Sequence, residues 1–163
     1  MRAVAWLAAM GLLSLMTGGC AMGAPRNWVL FSEVHGTVLR QGKPVEGAEV
    51  SETARISADD TKNRVQRAVT DADGKFHFPA IVKQLGWLWR ISPGQPVVNQ
   101  SIVIRFEGVD YEGWRHGKLT FAANTELDGQ PPDFVCELTD KPEAVGNHYG
   151  LCRPVGGGDG AKP

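Results

Sequence analysis

The chain has 163 residues, with seventeen basic and eighteen acidic side chains and a net charge of -1, which fits one domain of ordinary globular composition. Such a balance excludes the electrostatic footprint of a nucleic-acid binder and excludes an acidic tail. Basic residues are scattered, no block of five like charges occurs and no segment repeats at a fixed period, so the chain is not read as a solenoid.

At the start, Arg2 precedes the apolar run AVAWLAAMGLLSLM, Ala3 to Met16, followed by Thr17, Gly18, Gly19 and Cys20. A charged tip, a short apolar core and then small residues describe a cleaved secretory signal, whereas a spanning helix needs about 20 apolar residues. The four residues TGGC resemble a bacterial lipobox, with Thr17 where that motif most often has Leu. The resemblance implies that Cys20 receives a diacylglycerol thioether and becomes the new amino terminus, so that the acyl chains hold the mature protein on a membrane. The alternative is a plain secretory cut after Ala24, which would discard Cys20 and leave Pro25 just behind the cut. Ala21, rather than Asp, follows the cysteine. By resemblance to the sorting signals of Gram-negative lipoproteins, that implies the outer membrane, on the leaflet facing the periplasm.

Beyond the leader the chain reads as short strands between turn signals. In VHGTVLRQGKPVEGAEV, Val34 to Val50, the residues Val34, Gly36 and Val38 share one face, RQGKP marks a turn, and Val45 to Val50 returns as in a hairpin or its close relative. The polar stretch Ser51 to Arg64 is expected to be a long loop or a hairpin tip. In RAVTDADGKFHFPAI, Arg67 to Ile81, Phe76 and Phe78 alternate with polar neighbours, and DADG supplies a turn at Gly74. His77 then lies on the outer face. Asp71 and Asp73 of that turn also resemble the opening of a calcium loop, but Val82 stands where the twelfth-position Glu would be, and the turn reading is preferred.

Period-two alternation continues through WLWRI, SIVIRF, KLTFAA and DFVCEL, with Ile102, Ile104 and Phe106 on one face and Phe134, Cys136 and Leu138 on another. Seven or eight short strands without a long helical period predict an all-β fold, a β-sandwich or small barrel. The expected division is a leader at 1–19, a membrane-proximal linker at 20–30, the sandwich at 31–140 and a tail at 141–163 ending in the disordered GGGDGAKP.

Three cysteines are an awkward number in an oxidising compartment, and lipidation removes one. Cys136 and Cys152 are therefore expected to form a disulfide that pins the tail to the last strand, at roughly 3 kcal/mol for a loop of about 15 residues. The rival readings, zinc or a reactive thiol, lack a Cys-x-x-Cys pair and a nearby cluster of histidines.

The segments GTVLRQGKPVEGAEV and TDADGKFHF, within Val34 to Ile81, resemble the carboxypeptidase regulatory-like domain, a transthyretin-like sandwich. The remainder is similar to poorly characterised short bacterial lipoproteins carrying the same head. The resemblance implies a module that folds, binds or spaces other modules, and not a peptidase. Hydroxyisourate hydrolases, enzymes on a related sandwich, end in Tyr-Arg-Gly-Ser, which this chain lacks. The fold alone supplies no activity.

No nucleophile elbow, P-loop or dinucleotide fingerprint is present. His35, His77, His116 and His148 show no metal-binding spacing along the chain, so neither a metal, a cofactor nor a catalytic residue is expected. Aromatics near arginines are usual in protein interfaces. In GVDYEGWRHG, glycines 108, 113 and 117 are read as breaking strand packing, which leaves Tyr111, Trp114 and Arg115 to hold a protein partner. Trp87 and Trp89 are read as core, with Arg90 beside them. The reading that follows is a non-enzymatic periplasmic lipoprotein, anchored through Cys20, that binds a protein at the envelope. An immunity protein against an interbacterial toxin, a structural envelope or secretion-system accessory, and an enzyme on carbohydrate or peptide are the alternatives.

Overall fold

Alternation of inward apolar and outward polar side chains governs the chain from Asn27 onward. The computed structural model describes residues 27–57, 63–84 and 97–156. Cys20 and its leader, Trp87, Trp89, Arg90 and, of the GGGDGAKP end, everything after Gly156 lie outside the described residues. In chain order the strands are β1 (Asn27–Phe31), β2 (Val34–Arg40), β3 (Lys43–Pro44), β4 (Glu49–Ile56), β5 (Arg64–Val69), β6 (Lys75–Phe78), β7 (Ile81–Gln84), β8 (Val98–Phe106), β9 (Val109–Lys118), β10 (Asp133–Glu137), β11 (Glu143–Val145), β12 (His148–Gly150) and β13 (Cys152–Pro154). Seven of them have five or more residues, and no helix occurs among the described residues. The protein is an all-β sandwich, not a closed barrel.

One layer is a five-stranded sheet in the order β13-β10-β2-β3, with β6 beside the first half of β2. Its β2–β10 pair is parallel, with His35 opposite Asp133. The other layer has six strands in the order β11-β12-β9-β8-β4-β5, and β1 with β7 forms a separate two-stranded sheet. Val34, Val38, Phe76, Phe78 and Phe134 face inward from the first layer, and Val50, Ile56, Ile102, Ile104 and Trp114 from the second. The layers meet where the Trp114 ring lies 5.5 Å from both Phe31 and Phe134. Burying an apolar side chain of this size stabilises by about 1.5–3 kcal/mol.

The turns follow their residues. Gln41 and Gly42, both at positive φ (53° and 73°), join β2 to β3 as the two central residues of a type I′ hairpin. Glu137 accepts from both of their backbone N–H groups, at 2.8 and 2.9 Å. Burial opposes its charge, but the hydrogen bonds from Thr139, Gly42 and Gln41 outweigh that and bring its carboxyl down to about 2. In DADG, Asp71 Oδ1 accepts from the N–H groups of Asp73 and Lys75 at 3.0 and 2.8 Å, an Asx turn as the residues imply. The strands on either side of that turn do not pair with each other. β5 joins the six-stranded sheet and β6 the five-stranded one, so DADG carries the chain between layers.

Other expectations need correction. The polar stretch Ser51 to Arg64 is not one long loop: Ser51 to Ile56 complete β4, Arg64 opens β5, and the antiparallel β4–β5 pair makes what lies between them a hairpin connection. Glu52, Ala54 and Ile56 face inward, and the inward carboxylate disguised the alternation. The sandwich also exceeds residues 31–140 at both ends. β1 begins in the stretch read as linker and buries Leu30 and Phe31, and β11 to β13 add the stretch read as tail to both layers. The Cys136–Cys152 disulfide is present, between directly opposed residues of β10 and β13.

Candidate functional site

The outer face of the six-stranded sheet carries a row of side chains fixed by register. Thr53 on β4 is opposite Ser101 on β8, Ser101 is opposite Arg115 on β9, and Arg115 is opposite Tyr149 on β12. A second row runs Arg55, Asn99, Gly117. Since Gly117 has no side chain, the face is hollow there, and with Asn63, Asn147 and His148 these residues line an open groove of about 700 Å³. The Arg115 guanidinium lies 5.6 Å from the Tyr149 ring centroid and pairs with Glu112, so its planar donor group is held at the groove wall. His148 is half-buried at the rim. Its imidazole is held below the ordinary range by burial and by the nearby His116 and Arg153.

Of the three residues expected to hold a partner, only Arg115 is on the surface, with 62% of its side chain exposed. Trp114 is fully buried and Tyr111 is half-buried against the core. The cause is a β-bulge. Ile102 is opposite Trp114 while Val103 is opposite Glu112, so Gly113 is the extra residue and the inward parity of β9 switches there. Residue 111 before the bulge and 114 after it both turn to the core, and Arg115 alone turns outward. A Cβ at Gly113 would lie 3.0 Å from the Ile102 carbonyl oxygen and 3.1 Å from Cys152 Sγ, so a bulkier residue would force the strands apart at this point.

Behind the groove, inside the sandwich, lies a charged network. Lys118 Nζ is 2.8 Å from Glu126 Oε1, and both side chains are at most 1% exposed. Gln100 Nε2 donates to the same oxygen at 2.9 Å and to the Leu30 carbonyl at 2.7 Å. Ser32 donates its N–H and Oγ–H to the two Glu126 oxygens at 3.0 and 2.8 Å. Burial works against the Glu126 charge, but the bonds from Lys118, Gln100 and Ser32 outweigh it and hold the carboxyl below the usual range. Glu52, also buried, takes one bond from Gln66. Burial, and then the charge of Glu126, push its carboxyl up to about 8. At neutral pH the network therefore holds a carboxylate at Glu126 and a neutral acid at Glu52. Its donors converge on Glu126 and tie β8, β9 and the segment around Ser32 together, while Glu52 Oε1 and Gln100 Oε1 have no hydrogen-bond partner among the described residues.

A third arrangement sits on the opposite layer. His35 and His77 are directly opposed in the antiparallel β2–β6 pair, and their rings stack at 4.6 Å. Glu33, one residue before β2, places Oε1 2.8 Å from His77 Nε2 and 3.4 Å from His35 Nε2. The hydrogen bond from His77 holds the Glu33 carboxyl below its usual range. Chain spacing gave no sign of this set. The separation of 35 from 77 is meaningless until β2 and β6 are known to pair, and the outward parity of both residues was the one available signal.

This is an all-β sandwich with a polar groove on one layer and a histidine pair on the other. The chain belongs to the family described as a domain of unknown function (DUF6795), which matches residues 34–141, from β2 through β10. No curated protein and no solved structure gives a significant match.

Proposed function

We propose that the chain is a non-enzymatic lipoprotein of the bacterial outer membrane, anchored through Cys20 and facing the periplasm, that holds a protein partner in the groove of its six-stranded sheet. The observation that carries this reading is the row Thr53–Ser101–Arg115–Tyr149 beside the hollow at Gly117. Arginine and tyrosine are the side chains that most often dominate protein interfaces, and here strand register sets their spacing before any partner arrives. The TGGC sequence supports the anchor, and the resemblance of Val34 to Ile81 to carboxypeptidase regulatory-like domains supports a binding module. A toxin in the groove would make the chain an immunity lipoprotein.

The test is a pull-down from native envelopes with the full chain, comparing wild type with Arg115→Glu and Tyr149→Ala. Both positions are exposed, so the fold should survive. The partner recovered by wild type should fall at least tenfold with Arg115→Glu, about 1.4 kcal/mol or more. Equal recovery by both folded variants would remove the groove from the binding site. Cys20→Ser should release the chain into the soluble fraction, and a mature chain beginning at Pro25 would refute the anchor.

A further inference from the structure

We propose that Glu33, His35 and His77 form a surface site for one late first-row transition-metal dication, of the class of Zn²⁺, Cu²⁺ or Ni²⁺. It lies on the five-stranded layer, away from the groove, and does not depend on the groove's role. Each residue offers one ligand atom, and these atoms all lie within 4.8 Å of one another. Around a tetrahedral zinc with bonds of about 2.0–2.1 Å, ligand atoms stand roughly 3.3 Å apart. The two separations to Glu33 Oε1, 2.8 and 3.4 Å, bracket that value, and the imidazole nitrogens, within 4.8 Å of each other, complete the set by rotation of the two exposed rings toward a common ion.

Rigid elements hold the set in place. Gly36 lies opposite Phe76 and Val34 opposite Phe78 in the same strand pair, and the buried Phe76 ring packs so closely on Gly36 that a Cβ there would fall 2.4 Å from Phe76 Cζ. That contact locks the register that puts His35 beside His77. Glu33 follows Ser32, whose N–H and hydroxyl are both held by the buried Glu126, so the backbone that presents the third ligand is tied into the core. Preorganisation of this kind separates a binding site from a chance surface cluster.

Ligand chemistry selects the ion. Two imidazoles and one carboxylate suit zinc, copper and nickel, whereas calcium needs six to eight oxygens. His77 Nε2 now lies within hydrogen-bonding distance of Glu33 Oε1, and binding requires each imidazole to present a lone pair instead, so a neutral ring carries its proton on the other nitrogen while a protonated ring releases one proton to solvent as the ion enters. Cys136 and Cys152 are joined in the disulfide and do not compete as thiolates. Three protein ligands leave a coordination position open to water or to a donor from elsewhere.

The experiment titrates the metal-free full chain, purified without a histidine tag, with Zn²⁺, Cu²⁺ and Ca²⁺ by calorimetry. Zn²⁺ and Cu²⁺ should bind one per chain with micromolar or tighter affinity, and Ca²⁺ should not. His77→Ala and Glu33→Gln should each weaken Zn²⁺ binding by at least ~10-fold, since even the loss of outer-shell partners costs that much. Joint replacement of His35 and His77 by Ala should abolish it. No Zn²⁺ uptake, Ca²⁺ uptake equal to Zn²⁺, or full uptake by the folded double variant would each overturn the proposal. A readout without substitutions is the imidazole NMR spectrum of wild type. Sub-stoichiometric Cu²⁺ should broaden His35 and His77 before His116 and His148, and broadening centred on the latter pair would overturn the assignment.

Discussion

Glu52 and Glu126 are both buried in the sandwich, yet one is a neutral acid and the other a carboxylate. Lys118, Gln100 and Ser32 gather on Glu126, while Glu52 has only Gln66 for Oε2 and no hydrogen-bond partner for Oε1 among the described residues. The donors are concentrated on one carboxyl, so the proton goes to the other.

Stability should therefore fall as pH rises from about 4.5 to 8. Over that window the unfolded chain has released the Glu52 proton and the folded chain keeps it, because burial and Glu126 raise its carboxyl to about 8. Unfolding then releases a proton, and this group contributes a slope of about -1.4 kcal/mol per pH unit. Glu137 acts in the opposite sense. Its carboxyl is brought down to about 2, so its contribution is present above 4.5 and is lost as pH falls toward 2. Denaturant midpoints should peak in mildly acidic buffer. Glu52→Gln should flatten the alkaline side and raise stability at pH 7.5 by about 1–3 kcal/mol. His148, held below its ordinary range, adds a rise up to about 6.5, so the decisive comparison is between the two profiles: a Glu52→Gln profile parallel to wild type from 5 to 8 would refute the assignment.

Trp114→Ala should cost about 3–5 kcal/mol, the usual range for removing a fully buried large aromatic side chain, because the ring packs on Phe31 and Phe134. Arg115→Ala, one residue on, should stay within about 0.5 kcal/mol of wild type, as exposed changes do. Thermal melts of the two variants read the parity of β9 after the bulge. Equal melting temperatures would place the bulge elsewhere.

Gly36→Ala should destabilise by about 1–3 kcal/mol through overpacking, since the added methyl would fall within 2.6 Å of two atoms of the buried Phe76 ring. Combining it with Phe76→Leu should recover part of the loss, because a smaller side chain vacates that space. Urea unfolding of the single and double variants measures the coupling. Simple additivity of the two changes would show that the ring and Gly36 do not oppose each other.

Replacing Cys136 and Cys152 together by Ala should lower stability by about 3 kcal/mol, the loop-entropy value for a segment of this length. Non-reducing peptide maps should recover the two residues linked. An unchanged denaturant midpoint in the double variant would mean that strand pairing alone holds β13 on β10.

Much of the fold is legible in the sequence where alternation and turn chemistry agree. Val34, Val38, Phe76 and Phe78, the Gly74 turn, and the faces of Ile102 and Phe134 can be read one strand at a time, and cysteine parity supplies the one long-range link. Reading fails where the answer depends on a partner strand. Gly113 is a bulge inside a continuous β9 and not a break in it, so Tyr111 and Trp114 both turn to the core where the glycines suggested a projecting loop. The inward Glu52 made β4 look like a loop, because its neutralisation depends on Glu126, distant in sequence. The groove row and the Glu33–His35–His77 set each need side chains from separate strands, and nothing in a linear pattern aligns them.

The parallel pairing of β2 with β10 has a consequence for the order of assembly. Hairpins such as β4–β5 and β8–β9 close short loops and can form as soon as their strands are available. β2 must wait for a neighbour that enters the chain only at Asp133, and long-range closure of that kind slows folding. Until Asp133 and the strand it begins have been made, β2 therefore carries one unsatisfied edge, which exposes it to mispairing with other chains and makes it a site where a holding chaperone would act.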